Sequence, residues 1–416
     1  MLVNKLAIDG NTPVRTLPMP ARCLITEAEK TAVIHVLDEA IASGIAFGYN
    51  GKYEQQYEKH FVDFMGGGFA DGVNSGTNAL FCALGGLQLD ALSEVIVPPI
   101  TDPGGVMPVL FAGCVPVFAD SDPRSYNTNA EQIEKVMTER TKAIIVAHIA
   151  GEAADMEPIM KLAQKHNLYV IEDCAQAHGA KYKGKFVGSI GHIGAFSTMF
   201  GKHHCTGGQG GILYTQYENL HWQCKRFADR GKPFNLDGRN GNIVAGINCN
   251  SNDLAAAIGI AQITRLPDVI GKRKQLAQIV DHELAGCDKI RLGWQVPAAD
   301  NVYWFLRFIL ETKSIKVDKE LFCKAVEAEG IEGVIPTYRF INCEKEWFKQ
   351  KAVFGKTGFP WNCSDYHGDR NPNFILTNAI NVTNSHFNIL INESYGEQEA
   401  QDIAAALKKV ANAYSK

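Results

Sequence analysis

Between residues 94 and 172 the chain alternates short apolar runs with amphipathic stretches, and this alternation constrains the fold more than any other feature. The runs with the length and composition of buried strands are 94–98, 116–119, 143–147 and 169–172. Helical periodicity occupies the stretches between them, at 105–112, 129–137 and 157–166. Strands separated by helices are joined by crossovers. The pattern therefore predicts an α/β fold whose mainly parallel sheet carries helices on both faces.

The chain on either side of this alternation differs in texture. Before residue 285 the pattern predicts further helices at 25–43, 55–64, 80–87, 217–228, 252–266 and 267–284, and further strands at 196–197 and 212–215. After residue 285 it predicts strands at 303–310 and 387–391 and helices at 319–329 and 397–413. We therefore expect a large α/β domain over residues 1–284, with an N-terminal helical segment, and a smaller α+β domain over residues 285–416.

A carboxylate and a lysine carry the strongest chemical signal in the sequence. Asp173 ends the apolar run 168–171, at the C-terminal end of a predicted parallel strand, where open α/β sheets hold their ligands. Lys202 follows in a glycine-rich loop. A lysine amine binds an aldehyde as a Schiff base, and a carboxylate pairs with a pyridinium nitrogen. The pair therefore predicts pyridoxal 5'-phosphate (PLP) as the cofactor, in a Schiff base with Lys202.

A turn of small residues, NSGTNAL at 74–80, opens one of the predicted helices. The free amides and the dipole of a helix N-terminus attract phosphate. A simple N-cap by Ser75 or Thr77 is the alternative. Because the cofactor expected at the lysine loop carries a phosphate, we favour a phosphate site that includes Gly76, Thr77 and Asn78.

Several ordered motifs resemble those of the DegT/DnrJ/EryC1/StrS family of sugar aminotransferases. They are LAIDGNTPVR at 6–15, EDCAQAHGA at 172–180, GKFVGSIG at 184–191, FSTMFGK at 196–202 and GGQGG at 207–211. The first motif is similar to the branch of the family that acts on keto-inositols and related cyclic ketones. The resemblance covers roughly residues 6–270 and weakens towards the C-terminus. It implies a fold type I PLP-dependent transferase, with a mainly parallel sheet of the seven-stranded type flanked by helices.

The resemblance also assigns roles around the cofactor. Lys202 matches the lysine that holds the cofactor and then moves protons. Asp173 matches the carboxylate that keeps the ring nitrogen protonated, and Gln176 matches the residue that hydrogen-bonds the phenolic oxygen. Ser197 matches a serine that contacts the phosphate. His178, within the same motif, is either a packed structural histidine or a substrate contact.

Two further matches concern the phosphate. Thr77 and Asn78 match the family's phosphate cradle. Gly246-Ile247-Asn248 resembles the Gly-x-Asn motif, whose asparagine reaches the phosphate in the neighbouring subunit. This match implies a homodimer with two active sites at an isologous interface. An ordinary turn residue is the alternative for Asn248.

The sequence departs from the family pattern in two places. Asp102 and Pro103 follow Thr101 where the family has an aromatic residue that stacks on the cofactor ring. Either another group covers the ring, the cofactor sits differently, or Asp102 binds substrate hydroxyls. Cys249, Asn250 and Ser251 replace the aromatic, arginine and methionine that follow Gly-x-Asn, which alters substrate recognition.

A polar segment rich in glycine and asparagine, 227–242, is predicted to be a loop near the site. Its cations are Arg230, Lys232 and Arg239. One interpretation is that they bind a donor carboxylate or a sugar phosphate, and the other is that they lie in a solvated loop.

The predicted function is that of a PLP-dependent aminotransferase. It moves an amino group from glutamate or glutamine to a keto-sugar, a nucleotide-linked keto-sugar or a keto-cyclitol. One alternative is a sugar dehydratase that uses pyridoxamine phosphate, with His203 in the place of the lysine, as in one branch of the family. The other is a PLP-binding regulatory protein without turnover, motivated by Asp102 and the altered segment 249–251.

Composition argues against several other classes. The chain has 416 residues and a formal net charge of −4, without the basic footprint of a nucleic-acid-binding protein. No apolar run is expected to reach membrane-spanning length, and residues 1–5 lack the hydrophobic region of a signal peptide. Eleven cysteines without a disulfide framework predict reduced thiols in the cytoplasm. We expect no metal site, although His203, His204 and Cys205 are adjacent.

Overall fold

A computed structural model describes residues 6–416, and Met1–Lys5, on which the signal-peptide prediction rests, lie outside the described residues. The α-helices are α1 Glu27–Ser43, α2 Lys52–Met65, α3 Gly76–Leu87, α4 Met107–Phe111, α5 Ala130–Val136, α6 Met156–Lys165, α7 Glu218–Ala228, α8 Asp253–Glu283, α9 Lys319–Ala328, α10 Glu346–Lys349, α11 Thr377–Ser385 and α12 Glu397–Ala413. The strands are β1 Phe69–Val73, β2 Glu94–Val97, β3 Val115–Phe118, β4 Thr141–Ala147, β5 Tyr169–Asp173, β6 Lys181–Tyr182, β7 Lys185–Phe186, β8 Ile193–Ser197, β9 Gly211–Thr215, β10 Ile290–Leu292, β11 Ala299–Asp300, β12 Phe305–Leu310, β13 Val334–Ile335 and β14 His386–Leu390.

The main sheet has seven strands in the order β1-β9-β8-β5-β4-β2-β3. The pairs from β8 through β5, β4 and β2 to β3 are parallel, and β9 is antiparallel to both β1 and β8. This confirms the predicted fold class. Asp173 pairs with Ala195 of β8, so the C-terminal ends of β5 and β8 lie side by side. That edge of the sheet is where the predicted lysine loop begins.

The structure corrects two predictions of where helices are continuous and where they break. The stretch 105–112 is broken into a 3-10 turn, Pro103–Gly105, and the short helix α4, with Val106 outside helical geometry between them. The predicted helices 252–266 and 267–284 form the single helix α8, which carries Pro267 in its interior. Packing of α8 against α1, α2 and α12 offsets the hydrogen bond that a proline removes.

The same helix corrects the expectation about membrane-spanning runs. With 31 residues and a mean hydropathy of 1.2 over its most apolar window, α8 is long and apolar enough to cross a membrane, by length and composition alone. Its residues Ala256, Ile263 and Leu266 are buried in the protein core. A core helix of a globular protein passes the same test.

A second sheet, β10-β12-β14-β13, is antiparallel and packs with α9 and α12. Its core also takes in Leu6 and Met19 from the start of the described chain. Tyr338, Phe348 and Trp361, from the later part of the chain, join the core of the main sheet instead. The domain boundary at residue 284 stays a prediction. Segments from each side of residue 284 pack into the core formed by the other side.

Candidate active site

The structure brings Asp173 and Lys202 together at the C-terminal edge of the main sheet. Asp173 is the last residue of β5, and Lys202 lies in the loop that joins β8 to β9. Each residue is only 8% exposed, and their charges are close enough to interact. Burial of an ammonium beside a carboxylate is the arrangement that the sequence predicted for the reacting pair.

The environment of Lys202 favours its neutral amine. Burial lowers the pKa of the Lys202 ammonium below its ordinary value of 10.5, and the carboxylates of Asp173 and Asp102 oppose this effect. The backbone around the lysine is held firmly. Its N–H donates to the Met199 carbonyl at 2.9 Å, and its own carbonyl accepts from Arg22 Nη2 at 2.6 Å.

Asp173 is placed with its carboxylate available to a ligand. Burial raises the pKa of the Asp173 carboxyl above its ordinary value, whereas the hydrogen bond from the Ala175 N–H and the charge of Lys202 lower it. The Ala175 bond, 3.1 Å long, occupies Oδ1. A pyridinium cation beside this carboxyl would lower its pKa further, so the ionised form and the protonated ring nitrogen would stabilise each other.

The residues of the predicted phosphate site lie at the N-terminus of α3. Ser75 caps the helix by accepting from the Asn78 N–H at 3.1 Å, so the cap considered from the sequence exists alongside the predicted site. An α-helix leaves its first amides without intrahelical acceptors, which leaves those of Gly76 and Thr77 for an anion. A Cβ at Gly76 would lie 2.5 Å from the Cβ of Ser197. Glycine is therefore required for the helix end to approach Ser197 of β8.

The 3-10 turn Pro103–Gly105 closes the space between this cradle and the carboxylate. A Cβ at Gly104 would lie 2.4 Å from Thr77 Oγ1, and a Cβ at Gly105 would lie 3.2 Å from Asp173 Oδ2. The two glycines thus let the turn run close to both groups. A phosphate site and an anion for a ring nitrogen on opposite sides of one narrow space fit PLP.

Gln176 lies in the same site and is oriented by two hydrogen bonds. Its Oε1 accepts from the Ala150 N–H at 2.8 Å, and its Nε2 donates to the Tyr338 hydroxyl at 2.8 Å. An amide nitrogen carries two hydrogens, so one remains for a ligand such as the phenolic oxygen. Burial raises the pKa of Tyr338, which keeps this hydroxyl protonated.

Asp102 stands at the mouth of the site. It is exposed and caps the 3-10 turn, with Oδ1 accepting from the Gly104 N–H at 2.9 Å. Its Oδ2 makes no hydrogen bond within residues 6–416. Asp102 therefore adds an exposed carboxylate at the position where the family pattern has an aromatic ring.

Three buried histidines lie behind Lys202. Their contacts show why His203 does not occupy the position of the lysine. His178 and His204 share a hydrogen bond between their Nδ1 atoms at 2.8 Å, and His204 Nε2 contacts the Tyr57 hydroxyl at 2.7 Å. His203 is fully buried, with Nε2 at 3.3 Å from the Val302 carbonyl. The charge of Asp173 acts on the ammonium of Lys202, whereas His203 faces the Val302 carbonyl. The geometry does not support the dehydratase alternative.

The burial of these histidines predicts that the folded state loses stability in acid. Burial lowers the pKa of His204 from 6.5 to about 3, and it lowers the pKa values of His178 and His203 as well. A neutral buried histidine binds fewer protons than its unfolded counterpart, so stability is full above pH 6.5 and is lost as the pH falls below that value towards the folded pKa. The shared His178–His204 bond also requires one neutral acceptor nitrogen.

We therefore expect the free energy of unfolding to fall by about 1.4 kcal/mol per pH unit for each such histidine below pH 6. Urea titrations at pH 7, 6 and 5 measure this slope. His204→Gln is expected to make the slope shallower by about one proton, and the exposed His282→Gln to leave it unchanged. An identical slope in His204→Gln would contradict the assignment.

Other predicted residues are placed differently. Asn248 is exposed, and its Oδ1 accepts from the Asn250 N–H at 3.2 Å. Arg230 and Lys232 both bind the buried Asp229 and the Tyr49 hydroxyl, which lowers the pKa of Tyr49. Arg239 is exposed. Arg230 and Lys232 thus belong to a local ion-pair cluster in the single chain.

The side chains with metal-binding geometry in the described chain are His148, Glu172 and Cys174, all buried. His148 Nδ1 accepts from the Ala154 N–H, and Nε2 lies 3.0 Å from Glu172 Oε2. Glu172 Oε1 accepts two further backbone N–H bonds. Protein hydrogen bonds already use both ring nitrogens of His148 and both carboxylate oxygens of Glu172, and the His148–Glu172 contact links the end of β4 to β5 next to Asp173. The His203 and His204 side chains have separate partners, and the backbone N–H of Cys205 donates to Gln262 Oε1.

Three residues at the site were missed from the sequence: Arg22, Trp304 and Tyr338. The indole ring of Trp304 lies with its centroid 4.1 Å from Lys202 Nζ. Each of the three is far from Lys202 along the chain, so no local motif signals the contact. Only the aromatic run at 303–305 hinted at a special position, and it is typical of any buried strand.

Comparisons with known proteins agree with this geometry. The sequence model of the DegT/DnrJ/EryC1/StrS aminotransferase family matches residues 26–355, which is more than half of the chain. GDP-perosamine synthase of Escherichia coli O157:H7 is 34% identical over 288 residues, covering 69% of this chain and 76% of that protein. A putative L-glutamine:3-amino-2,3-dideoxy-scyllo-inosose aminotransferase of Micromonospora echinospora is 30% identical over 335 residues, covering 80% and 79%.

The fold has solved counterparts. The X-ray structure of an aminotransferase from Psychrobacter cryohalolentis superimposes with a TM-score of 0.83 at 30% identity, over 95% of this chain and all of that one. The structural neighbours are fold type I PLP-dependent aminotransferases, which confirms the predicted fold type.

Proposed function

We propose, on the premise that this chain belongs to the DegT/DnrJ/EryC1/StrS aminotransferase family, that Lys202 and Asp173 form its reacting centre. The family makes the chain a PLP-dependent aminotransferase of the sugar type. One observation carries the residue assignment: a buried lysine amine and a buried carboxylate interact at the sheet edge, beside a helix N-terminus that approaches Ser197.

Each residue has a distinct task in this proposal. When bound, PLP supplies an electron-accepting ring that stabilises negative charge on a substrate carbon. Gly76, Thr77, Asn78 and Ser197 hold the phosphate, and Gln176 Nε2 donates to the phenolic oxygen. Asp173 keeps a proton on the ring nitrogen.

Lys202 moves the protons of both half-reactions. Its Nζ removes the α-proton of glutamate or glutamine in the first, and delivers a proton to the acceptor carbon that gains the amino group in the second. Because burial lowers the pKa of this amine, more of it is neutral and able to act as a base.

The acceptor that we propose is a cyclic ketone bearing hydroxyl groups. Two relatives are named GDP-perosamine synthase and inosose aminotransferase, and both names indicate rings of this kind. The exposed Asp102 at the mouth of the site has a free carboxylate oxygen that can accept from ring hydroxyls.

The visible absorption spectrum tests the assignment directly. Purified protein mixed with PLP is expected to show the yellow band of a lysine-bound cofactor, and glutamate or glutamine is expected to bleach it. A band that no amino donor changes would favour a binding protein without turnover. No band at all, with tight binding of pyridoxamine phosphate, would return the dehydratase to consideration.

We also propose a homodimer, because large apolar side chains are exposed on several segments of the chain. The exposed set lies on α1, the loop after it, the lysine loop and the segment before Asn248, and comprises Ile34, Leu37, Ile41, Ile45, Phe47, Phe200, Ile243 and Ile247. Ile41 is 80% exposed and Phe200 is 67% exposed. Apolar surface of this kind in a globular protein marks an interface. Light scattering is expected to give twice the chain mass of 45.6 kDa.

In this dimer Asn248 reaches the phosphate of the neighbouring subunit. Its exposed position and its place next to Ile247 support that role. We expect Asn248→Ala to weaken PLP binding by about 10-fold, the value of one hydrogen bond to a charged group. Equilibrium dialysis of the cofactor measures the change.

A mixed dimer decides which subunit supplies the asparagine. One subunit is wild type, and the other carries both Lys202→Ala and Asn248→Ala. If Asn248 acts in the partner's site, the only working lysine is paired with an alanine at 248, and PLP binding at that lysine is weakened. Wild-type binding there would place Asn248 in the site of its own chain.

We place the enzyme in the cytoplasm. All eleven cysteines are free in the structure, and most of them are buried. Reduced thiols are usual in that compartment. The amino donor and the acceptor are small molecules, and the proposed chemistry requires no metal.

A further inference from the structure

Trp304 immediately precedes β12 of the second sheet and is held there through its backbone. Its N–H donates to the Ala150 carbonyl at 2.8 Å, and its carbonyl accepts from Arg273 Nη1 at 3.2 Å. A Cβ at Gly151 would lie 2.9 Å from the Trp304 nitrogen, at a backbone φ of +76°. The turn at 149–151 and the strand entry are therefore packed backbone to backbone, and the position of Trp304 is tightly set.

From this anchor the indole reaches across to the lysine loop. Its Nε1–H donates to the Gly201 carbonyl at 3.0 Å. The face of the ring lies against the Lys202 ammonium, with 4.1 Å between Nζ and the ring centroid. One side chain from the second sheet thus contacts both the backbone before the lysine and its terminal nitrogen.

We propose that Trp304 is a positioning residue for Lys202, which holds the ammonium on its ring face and the loop through its Nε1–H. The role of Lys202 in catalysis rests on the proposed function, but the contact with Trp304 does not. An aromatic face attracts a cation, whereas it attracts a neutral amine only weakly. Trp304 therefore favours the protonated lysine at one fixed place.

This placement gives the freed lysine a resting position between proton transfers. Asp173 lies on the sheet side of the amine and Asp102 at the mouth, and both attract the ammonium. His178 and His203 lie behind it and are neutral, and Arg22 binds the Lys202 carbonyl. Trp304 is the aromatic group among those that surround the Lys202 amine. Its ring covers one side of the amine, so the amine is directed towards the space above Asp173.

The test measures the pKa of Lys202 in the cofactor-free full-length chain. The rate of acetylation of Lys202 is followed by mass spectrometry as a function of pH. Trp304→Leu keeps an apolar side chain but removes the aromatic face, and we expect it to lower the pKa of Lys202 by about one unit.

A second variant separates the two contacts of the indole. Trp304→Phe keeps an aromatic ring and loses the Nε1–H. We expect a pKa of Lys202 close to that of the wild type, together with faster amide hydrogen exchange over residues 199–204. This variant also keeps the proposal testable if Trp304→Leu does not fold.

Trp294→Leu is the matched control. Trp294 also stacks on a cation, with its ring centroid 3.7 Å from the Arg124 guanidinium carbon, at a different place in the fold. It is expected to change neither readout. An unchanged or raised pKa of Lys202 in Trp304→Leu, or unchanged exchange of the loop in Trp304→Phe, would overturn the proposal.

The acetylation profile is independent of turnover. If the wild-type chain failed to form the lysine-bound absorption band, the proposed function would fail while the Trp304–Lys202 contact could still be measured. If the band forms and the pKa does not respond to Trp304, the failure belongs to this inference alone.

Discussion

Lys202→Ala is expected to lower the rate of transamination by about 10⁴-fold or more, the upper end of what general acid–base catalysis contributes. The variant removes both the nitrogen that holds the cofactor and the base that moves the proton. A single-turnover experiment with glutamate, followed at the absorption band of the cofactor, measures the first half-reaction. Mass spectrometry of the acceptor measures the second.

Two controls make this result specific. Lys185→Ala removes an exposed lysine of β7 and is expected to keep full activity. Methylamine added to Lys202→Ala is expected to restore part of the rate, because a small amine can enter the space that the side chain leaves. Full activity of Lys202→Ala would overturn the assignment of the reacting lysine.

Asp173→Asn is expected to lower the rate of the first half-reaction by about 10²- to 10³-fold, the range seen when a group that stabilises transition-state charge is removed. The amide keeps the shape of the carboxylate and its place at the end of β5. It loses the negative charge that keeps the ring nitrogen protonated.

The absorption spectrum distinguishes this effect from unfolding. The variant is expected to bind the cofactor and to show its band, while the bleaching by glutamate becomes slow. Asp90→Asn, at an exposed carboxylate in the loop after α3, is the control and should behave as the wild type. A rate for Asp173→Asn within threefold of the wild-type rate would sink the role given to Asp173.

The local parts of the site could be predicted because short patterns encode them. Asp173 was placed at the sheet edge by the apolar run before it, since a parallel strand ends where its run ends. The turn 74–80 was placed at a helix start by its small residues and the periodicity after them. Such signals depend on residues within one turn or one strand of each other.

Helix continuity was less predictable. Pro267 argues for a break in any isolated helix, because it removes one hydrogen bond and crowds the preceding turn. In the folded chain α8 runs through it, packed against α1, α2 and α12. The free energy of that packing is a property of the assembled core, and a local window does not contain it.

The apolar face of α1 shows a similar limit. Leu37 and Ile41 share a helical face with Val36, as the periodicity of the sequence indicates. Val36 is buried, but Leu37 and Ile41 are exposed in the single chain. Periodicity indicates which residues form an apolar face, and it does not say whether the covering surface belongs to the same chain or to a second copy.

The sequence by itself determined the alternation of strands and helices over residues 94–172, the sheet edge at which Asp173 lies, and the family to which the motifs around Asp173 and Lys202 point. The tertiary structure alone decided which distant groups complete the site: Arg22, Trp304 and Tyr338. It also decided that His203 packs against the Val302 carbonyl while the ammonium of Lys202 lies near enough to Asp173 for their charges to interact. The physical reason is that periodicity and turn residues act between chain neighbours, whereas burial, charge and pKa at the site depend on segments that only packing brings together.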